Sequence, residues 1–219
     1  MIAMLLAAGR GERLRPITAT TPKALVEVAG QSLIERHVAA LRAAGITNIV
    51  INLGWLGAQI AERLGSGKAY GVSIAYSPEG EEILETGGGI VRALPLLGSR
   101  SFVVVNADVF TDMPMPPPMP AEGETGHLVV VPRPAYRERG DFDVVDGKLA
   151  NSAEPAYTFS GVASYRPEFF RDAKPERFPL APMLRAAADR GLLGATVYRG
   201  RWEDVGTPER LEALNRRCR

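Results

Sequence analysis

The chain predicts an α/β fold, a Rossmann-like three-layer αβα sandwich on a mainly parallel mixed sheet. Fully apolar runs at residues 2–7 and 102–105 suit strands buried on both faces, as parallel sheets require. Through the first half such runs alternate with helical periodicity. Parallel strands in turn need crossovers, which are almost always right-handed and place helices on both faces. The 219 residues, 46% hydrophobic and 23% charged, can bury a substantial core and lie far from disordered compositions. A single domain is expected, with residues 1–110 and 111–219 as its two halves.

Residues 2–7 form the first strand, ended by a glycine-bearing segment. Ser32 with Glu35 three positions on is a capping box, and Leu33, Ile34, Val38 and Leu41 supply the apolar stripe of a helix that stops before Gly45. Residues 49–53 read as the second strand, 55–64 as a helix closed by Gly65, and 72–76 as the third strand. A helix over 86–97 has a glycine-rich entrance at Gly87, Gly88 and Gly89, and the apolar strand 102–105 follows it. The proline-rich run from Met113 to Pro120 lacks the amide donors of a helix or central strand, so it is an irregular or extended surface connection. Strands are expected at 128–131, 142–145, 148–150 and 158–165, with Asp146-Gly147 as a two-residue hairpin turn. A helix over 181–190, a strand over 195–198 and a helix over 208–216 complete the pattern.

Composition excludes several classes of function. Lys and Arg total 26 against 25 Asp and Glu, so the net charge of +1 provides no field for a polyanion and no nucleic-acid partner is expected. Cys218 is the sole cysteine, which excludes an intrachain disulfide and a cysteine zinc cage and favours a cytoplasmic location. The apolar start meets Arg10, Glu12, Arg13 and Arg15 at once and is too short to span a bilayer. Neither a membrane nor an obligatory protein partner is expected.

Four segments carry chemistry. Gly9-Arg10-Gly11-Glu12-Arg13 directly follows the first strand; glycines let backbone amides approach a phosphate, and arginines offer forked donors to its oxygens. The segment lacks the Gly-Lys-Ser/Thr ending of a Walker A loop and the third glycine of a dinucleotide fingerprint, so phosphate binding stands beside an ordinary strand-to-helix turn. Lys23 follows the rigid Pro22, on a stiffened loop from which an ammonium can meet a phosphate. Asp108 lies just past the strand 102–105, where parallel strands open onto the ligand crevice and where magnesium is held by one or two carboxylates with substrate phosphates. An Asp there also suits a turn cap. Asp204 is a second candidate carboxylate, ahead of Thr207 and Pro208, which suit an N-cap and a first helical position.

In this order and at these separations the segments resemble the sugar nucleotidyltransferase family, whose opening pattern LAAGxGxRxxPxTxxxPK is matched from Leu6 through Lys23. The likeness continues through Glu85-Thr86-Gly87-Gly88-Gly89, Asn106-Ala107-Asp108, Arg139-Gly140-Asp141-Phe142, Phe159-Ser160-Gly161 and Asp204-Val205-Gly206-Thr207. Ser77-Pro78-Glu79-Gly80 adds a closer similarity to the short uridylyltransferases of cell-wall sugar recycling. The resemblance implies that the substrates are UTP and a sugar 1-phosphate, that of N-acetylmuramate first, and that the sugar phosphate attacks the α-phosphorus in line. It further implies one Mg²⁺ held by Asp108 and Asp204. Arg13 would clamp the β and γ phosphates above the amides of Gly9, Arg10, Gly11 and Glu12, and Lys23 would stand near the α-phosphate. The base would rest between Ala7, Ala8 and Gly9 and the segment from Glu85 to Gly88, and Asn106, Asp141 and Glu154 would hold the sugar. His37 and His127 are expected to be structural.

Many relatives have Glu-Lys-Pro where this chain has Glu154-Pro155, so the lysine that meets the sugar phosphate is missing and Arg199 or Arg201 is the expected substitute. No acetyl transfer is expected, because the acyltransferase domain of longer members is not seen. Competing readings are GTP with mannose 1-phosphate, UTP or dTTP with glucose or N-acetylglucosamine 1-phosphate, CTP with a phosphorylated alcohol, and a noncatalytic nucleotide-sensing subunit. The joint presence of Arg13, Lys23, Asp108 and Asp204 argues against the last. A nicotinamide oxidoreductase is disfavoured by the missing third glycine.

Overall fold

The computed structural model describes residues 1–80 and 82–218. β1 (Ile2–Leu6) is followed by 3-10 turns at Glu12–Leu14, Ile17–Ala19 and Lys23–Leu25 and by a hairpin of β2 (Glu27–Val28) and β3 (Gln31–Ser32). The simple strand-to-helix turn considered from sequence is therefore a long excursion, in which Pro16 and Pro22 withhold the donors a helix needs. α1 (Leu33–Ala43) then starts at the expected capping box: Ser32 Oγ accepts the Glu35 N–H at 3.3 Å, and the Glu35 carboxylate accepts the Ser32 N–H at 3.4 Å. Arg63 and Tyr70 also donate to Glu35, and against its burial these bonds hold its carboxyl down at about 2.

The chain continues through β4 (Asn48–Leu53), α2 (Gly57–Leu64), β5 (Ser73–Pro78), α3 (Glu85–Leu97), β6 (Phe102–Asn106) and β7 (Val109–Thr111). α2 starts two residues later than expected because Leu56 adopts a left-handed turn, with φ 54°. After the irregular prolines come β8 (Gly126–Pro132), β9 (Asp143–Val145), β10 (Lys148–Ala150), β11 (Tyr157–Tyr165), α4 (Ala181–Asp189), β12 (Leu193–Val197), β13 (Trp202–Asp204) and α5 (Pro208–Arg217). Asp146 and Gly147 both have positive φ, as the primed turn joining β9 to β10 demands.

Among the described residues the main sheet has nine strands in the order β5-β4-β1-β6-β11-β8-β12-β10-β9, and β10 and β11 alone run against the others. It is the mainly parallel mixed sheet predicted from sequence. Alternate residues of each strand serve opposite faces. Ala3, Leu5, Ile49, Ile51, Val103 and Val105 pack against α1 and α2 through Ile34, Val38, Leu41, Ile60 and Leu64. Met4, Val50, Val104, Leu128 and Ala163 pack against α3 and α4 through Ile90, Ala93, Leu97 and Leu184. A smaller cluster of Leu14, Val26, Val28, Leu33, Val205 and Leu214 fastens α5 to the excursion after β1. Asn215 Oδ1 also accepts the Ala29 N–H at 2.8 Å, tying α5 to the turn between β2 and β3. Among the described residues no helix is long and apolar enough to cross a membrane.

Candidate active site

At the carboxyl ends of β1, β4, β5 and β6 a cleft is lined by Ala7, Ala8 and Gly9, by Asn52 and Glu79, and by Asn106 and Asp108; Glu85 and Thr86 close its far side. The crevice position is the one expected for a parallel sheet. Asn52 organises this wall. Its amide nitrogen donates to Glu79 Oε1 at 2.6 Å and its oxygen accepts the Ala7 N–H at 2.7 Å, while Glu79 Oε2 accepts the Leu84 N–H at 2.7 Å. Burial pushes the Glu79 carboxyl up, against the pull of those bonds. Sequence reading gave neither residue a role. The signals were a polar side chain inside an otherwise apolar strand and the Ser77–Gly80 phrase.

Lys23 reaches the cleft from the excursion, with its side chain 12% exposed and its ammonium paired to Asp108 Oδ2. Gly11 makes that approach possible: at φ +62°, an added Cβ would stand 2.9 Å from Thr18 and 3.2 Å from Lys23. Thr18 Oγ1 donates to the Gly11 carbonyl at 2.8 Å, and Trp55 Nε1 donates to the Thr18 carbonyl at 3.0 Å. Beyond Gly9 the loop turns outward. Arg10, Glu12 and Arg13 are exposed and do not line the cleft, and the Arg10 guanidinium lies 6.0 Å from the Trp55 ring.

The glycines that open α3 serve packing rather than an anion. The Gly87 and Gly88 N–H groups both donate to the Phe178 carbonyl, at 3.1 and 3.3 Å. An added Cβ at Gly88 would stand 2.1 Å from the Glu176 carbonyl, and one at Gly89 2.5 Å from the Glu79 carboxylate. Gly88 therefore does not face the cleft, contrary to the expectation, whereas Glu85 and Thr86 do.

Asp204 arrives through a separate ribbon. β13 pairs antiparallel with β7, Asp204 stands opposite Val109, and the Val205 N–H donates to the Asp108 carbonyl at 3.2 Å. Residues nearly a hundred positions apart thus become neighbours. His37 on α1 supports the ribbon from below, its Nε2 bonded to the Val109 carbonyl at 2.8 Å, and burial lowers its pKa to about 4. The neutral, structural role expected for it agrees with this environment. His127 bonds Thr196 Oγ1 at 2.8 Å away from the cleft.

Arg210 Nη1 lies 3.2 Å from Asp204 Oδ2, an approach that any Cβ at Gly206 would block at 2.0 Å. Thr207 caps α5 as expected, so the cap does not use Asp204. The other Asp204 oxygen, Oδ1, is buried and has no hydrogen-bond partner among the described residues. An unmatched buried carboxylate oxygen on a ribbon whose backbone is bonded to that of Asp108 fits a divalent cation, and Asp108 with Asp204 are the residues that would hold Mg²⁺.

The expected sugar residues separate. Asn106 lines the cleft, held close to a bulge in β11 where Gly161 (φ +79°) approaches its side chain. Asp141 is half-buried on the connection between β8 and β9, where its Oδ2 accepts the Phe159 N–H at 3.0 Å and faces Arg137 at 3.4 Å. Glu154 is exposed between β10 and β11 and does not line the cleft. Arg199 and Arg201 are exposed too, without an ion pair among the described residues.

The chain matches the family described as Nucleotidyl transferase over residues 2–147. It is 46% identical over 221 residues to the N-acetylmuramate alpha-1-phosphate uridylyltransferase of Neisseria meningitidis, covering 97% of this chain and 96% of that one. The protein of the same name from Caulobacter vibrioides is 33% identical, covering 95% and 93%. A mannose-1-phosphate guanyltransferase beta-A from Xenopus laevis is 29% identical, with 62% of its length covered. Among solved structures, a Bacillus anthracis protein assigned as a glucose-1-phosphate thymidylyltransferase shares the fold at TM-score 0.86 and 23% identity, covering all of this chain and 96% of that one. HddC from Yersinia pseudotuberculosis does so at 0.79 and 19%, covering all of this chain and 99% of its own. With the opening motif and the parallel-sheet cleft in one structure, and with a match over two thirds of its length, the chain belongs to the nucleotidyl transferase family.

Proposed function

We propose that the protein condenses N-acetylmuramate α-1-phosphate with UTP to give UDP-N-acetylmuramate and pyrophosphate. The observation that carries this reading is the near full-length identity to two uridylyltransferases of that specificity, against weaker and partial likeness to guanyltransferases. An oxygen of the sugar phosphate forms a bond to the α-phosphorus of UTP, and the bond from that phosphorus to the bridging oxygen of the β-phosphate breaks. The attacking phosphate is already anionic, so no general base is required, and the protein's task is to align two anions and offset their charge.

The residues divide that task by position. Ala7, Ala8 and Gly9 on one wall and Glu85 on the other receive the base and ribose, on a frame held by Asn52 and Glu79. On the exposed loop beyond Gly9, the amides of Arg10 to Glu12 and the Arg13 side chain would serve the phosphates that leave as pyrophosphate, outside the cleft itself. Lys23, already at the Asp108 carboxylate, neutralises the α-phosphate. Asn106 and Asp141 orient the sugar. Asp108 and Asp204 would hold Mg²⁺, which would supply positive charge to offset the two phosphates.

The test is pyrophosphate release by purified protein with Mg²⁺, pairing UTP, GTP, CTP and dTTP with the 1-phosphates of N-acetylmuramate, N-acetylglucosamine, glucose and mannose. Release is expected with UTP and N-acetylmuramate 1-phosphate. A different preferred pair replaces the substrate, and silence across the panel refutes the reaction.

A further inference from the structure

We infer that Arg137 is the cation that binds the 1-phosphate of the sugar substrate. The inference rests on the reaction proposed above and names a residue for a position that sequence reading assigned to Arg199 or Arg201. Arg137 bridges the two sides of the sugar region: Nη1 stands 3.4 Å from Asp141 Oδ2, and Nη2 stands 3.9 Å from Asp204 Oδ2. A group bound between the sugar-orienting carboxylate and the metal-holding one is where the 1-phosphate must lie, because that phosphate joins the sugar to the reacting phosphorus.

The other cations near Asp204 are already committed. Lys23 is buried against Asp108, and Arg210 makes the closer contact to Asp204 at 3.2 Å while stacking 4.4 Å over the Tyr136 ring. Arg137 is different. Its contacts are long, its side chain is 35% exposed, and a guanidinium has five donors, so it can turn toward a phosphate and form a forked pair. Its backbone is nonetheless held: the Arg133 guanidinium donates to the carbonyls of Arg137 and Glu138, and the Arg137 N–H donates to the Pro134 carbonyl at 3.0 Å. Gly140 lets this connection lie on the start of β11, since a Cβ there would meet the Pro155 and Tyr157 carbonyls at 2.4 and 2.6 Å.

Arg201 is less suited. It stands three residues along β13 and its approach from Asp204, about 10 Å at strand rise, and its N–H is bonded to Asp112 at 2.8 Å.

Calorimetric titration of wild type, Arg137→Ala, Arg137→Lys and Arg201→Ala with N-acetylmuramate 1-phosphate and with N-acetylglucosamine 1-phosphate tests the assignment, alongside steady-state kinetics. Arg137→Ala is expected to raise Kd for both sugar phosphates at least ten-fold, raise KM for the sugar phosphate and leave KM for UTP unchanged. Arg137→Lys should recover part of the loss, and Arg201→Ala should match wild type. A weakened Kd for the muramate compound alone overturns the inference in favour of contact with its lactyl carboxylate. Unchanged Kd values with a lower kcat and a raised Mg²⁺ requirement overturn it in favour of Arg137 positioning Asp204. Wild-type protein that binds neither sugar phosphate refutes the reaction itself, whereas normal wild-type binding with an unaffected Arg137→Ala refutes only the role of Arg137.

Discussion

On the β1 side of the cleft, the site is built mainly from main chain and side chains at the carboxyl ends of buried parallel strands, within the last two residues of a strand or the three that follow it. On the Asp204 side it is built from charged side chains: Arg137, paired with Asp141 on the connection between β8 and β9, and Arg210 on α5 both reach Asp204. The first wall is rigid because the sheet and helices fix it on both faces, and its one polar relay, Asn52 to Glu79, is buried. The second depends on charge pairing at partly exposed positions, where solvent weakens each pair. If the first wall holds the nucleotide and the second the sugar phosphate, as proposed, one polyanion is held by main-chain geometry and the other by side-chain charge.

Four substitutions test that contrast. Asp108→Asn strikes the point where the two walls meet and should lower turnover at least about 1000-fold, as loss of a central charge-stabilising group does, with the circular dichroism spectrum retained. Turnover within tenfold of wild type would remove Asp108 from the chemistry. Asn52→Ala strikes the rigid wall: it leaves the Ala7 N–H and the Glu79 carboxylate short of a buried partner and should cost about 2–4 kcal/mol in urea unfolding. A loss below about 1 kcal/mol would mean that the relay does not hold the wall.

His37 sets a pH window. Its folded pKa of about 4 lies below the ordinary 6.5, so between those values the unfolded chain binds a proton that the folded chain refuses. Its contribution to stability is therefore complete above pH 6.5 and declines by up to about 3 kcal/mol as pH falls to 4. Glu79, raised by burial, acts in the opposite direction, so the comparison should be wild type against His37→Gln at pH 7 and 4.5. Equal acid sensitivity in both would show that His37 is not the group responsible. The smallest effect belongs to Ser32→Ala, about 1 kcal/mol of stability from the lost α1 cap, with kcat unchanged.

The strands of the nucleotide wall were legible because burial on both faces leaves a continuous apolar run, and the end of each run locates the next functional residue. Asp108 was readable for that reason, and Lys23 from the stiff Pro22 ahead of it. Gly88 was misread because a glycine at a helix start looks alike whether it admits an anion or a neighbouring carbonyl; here it admits Glu176. Glu154 was carried over by likeness into a connection whose course between β10 and β11 leaves it exposed. Arg137 had no local signal at all, since it sits among other arginines on an irregular segment.

By itself the sequence determined the order of the nine main-sheet strands and the helices, the cap of α1 and the Asp146-Gly147 turn, because periodicity and turn chemistry are local, whereas the short strands β2, β3, β7 and β13 left no such pattern. Only tertiary structure decided that β13 pairs with β7, bringing Asp204 beside Asp108, and that Arg137 lies between Asp204 and Asp141. Those neighbours are separated by long stretches of chain. Their meeting depends on sheet order and on how α5 packs against the excursion after β1, which no local pattern encodes.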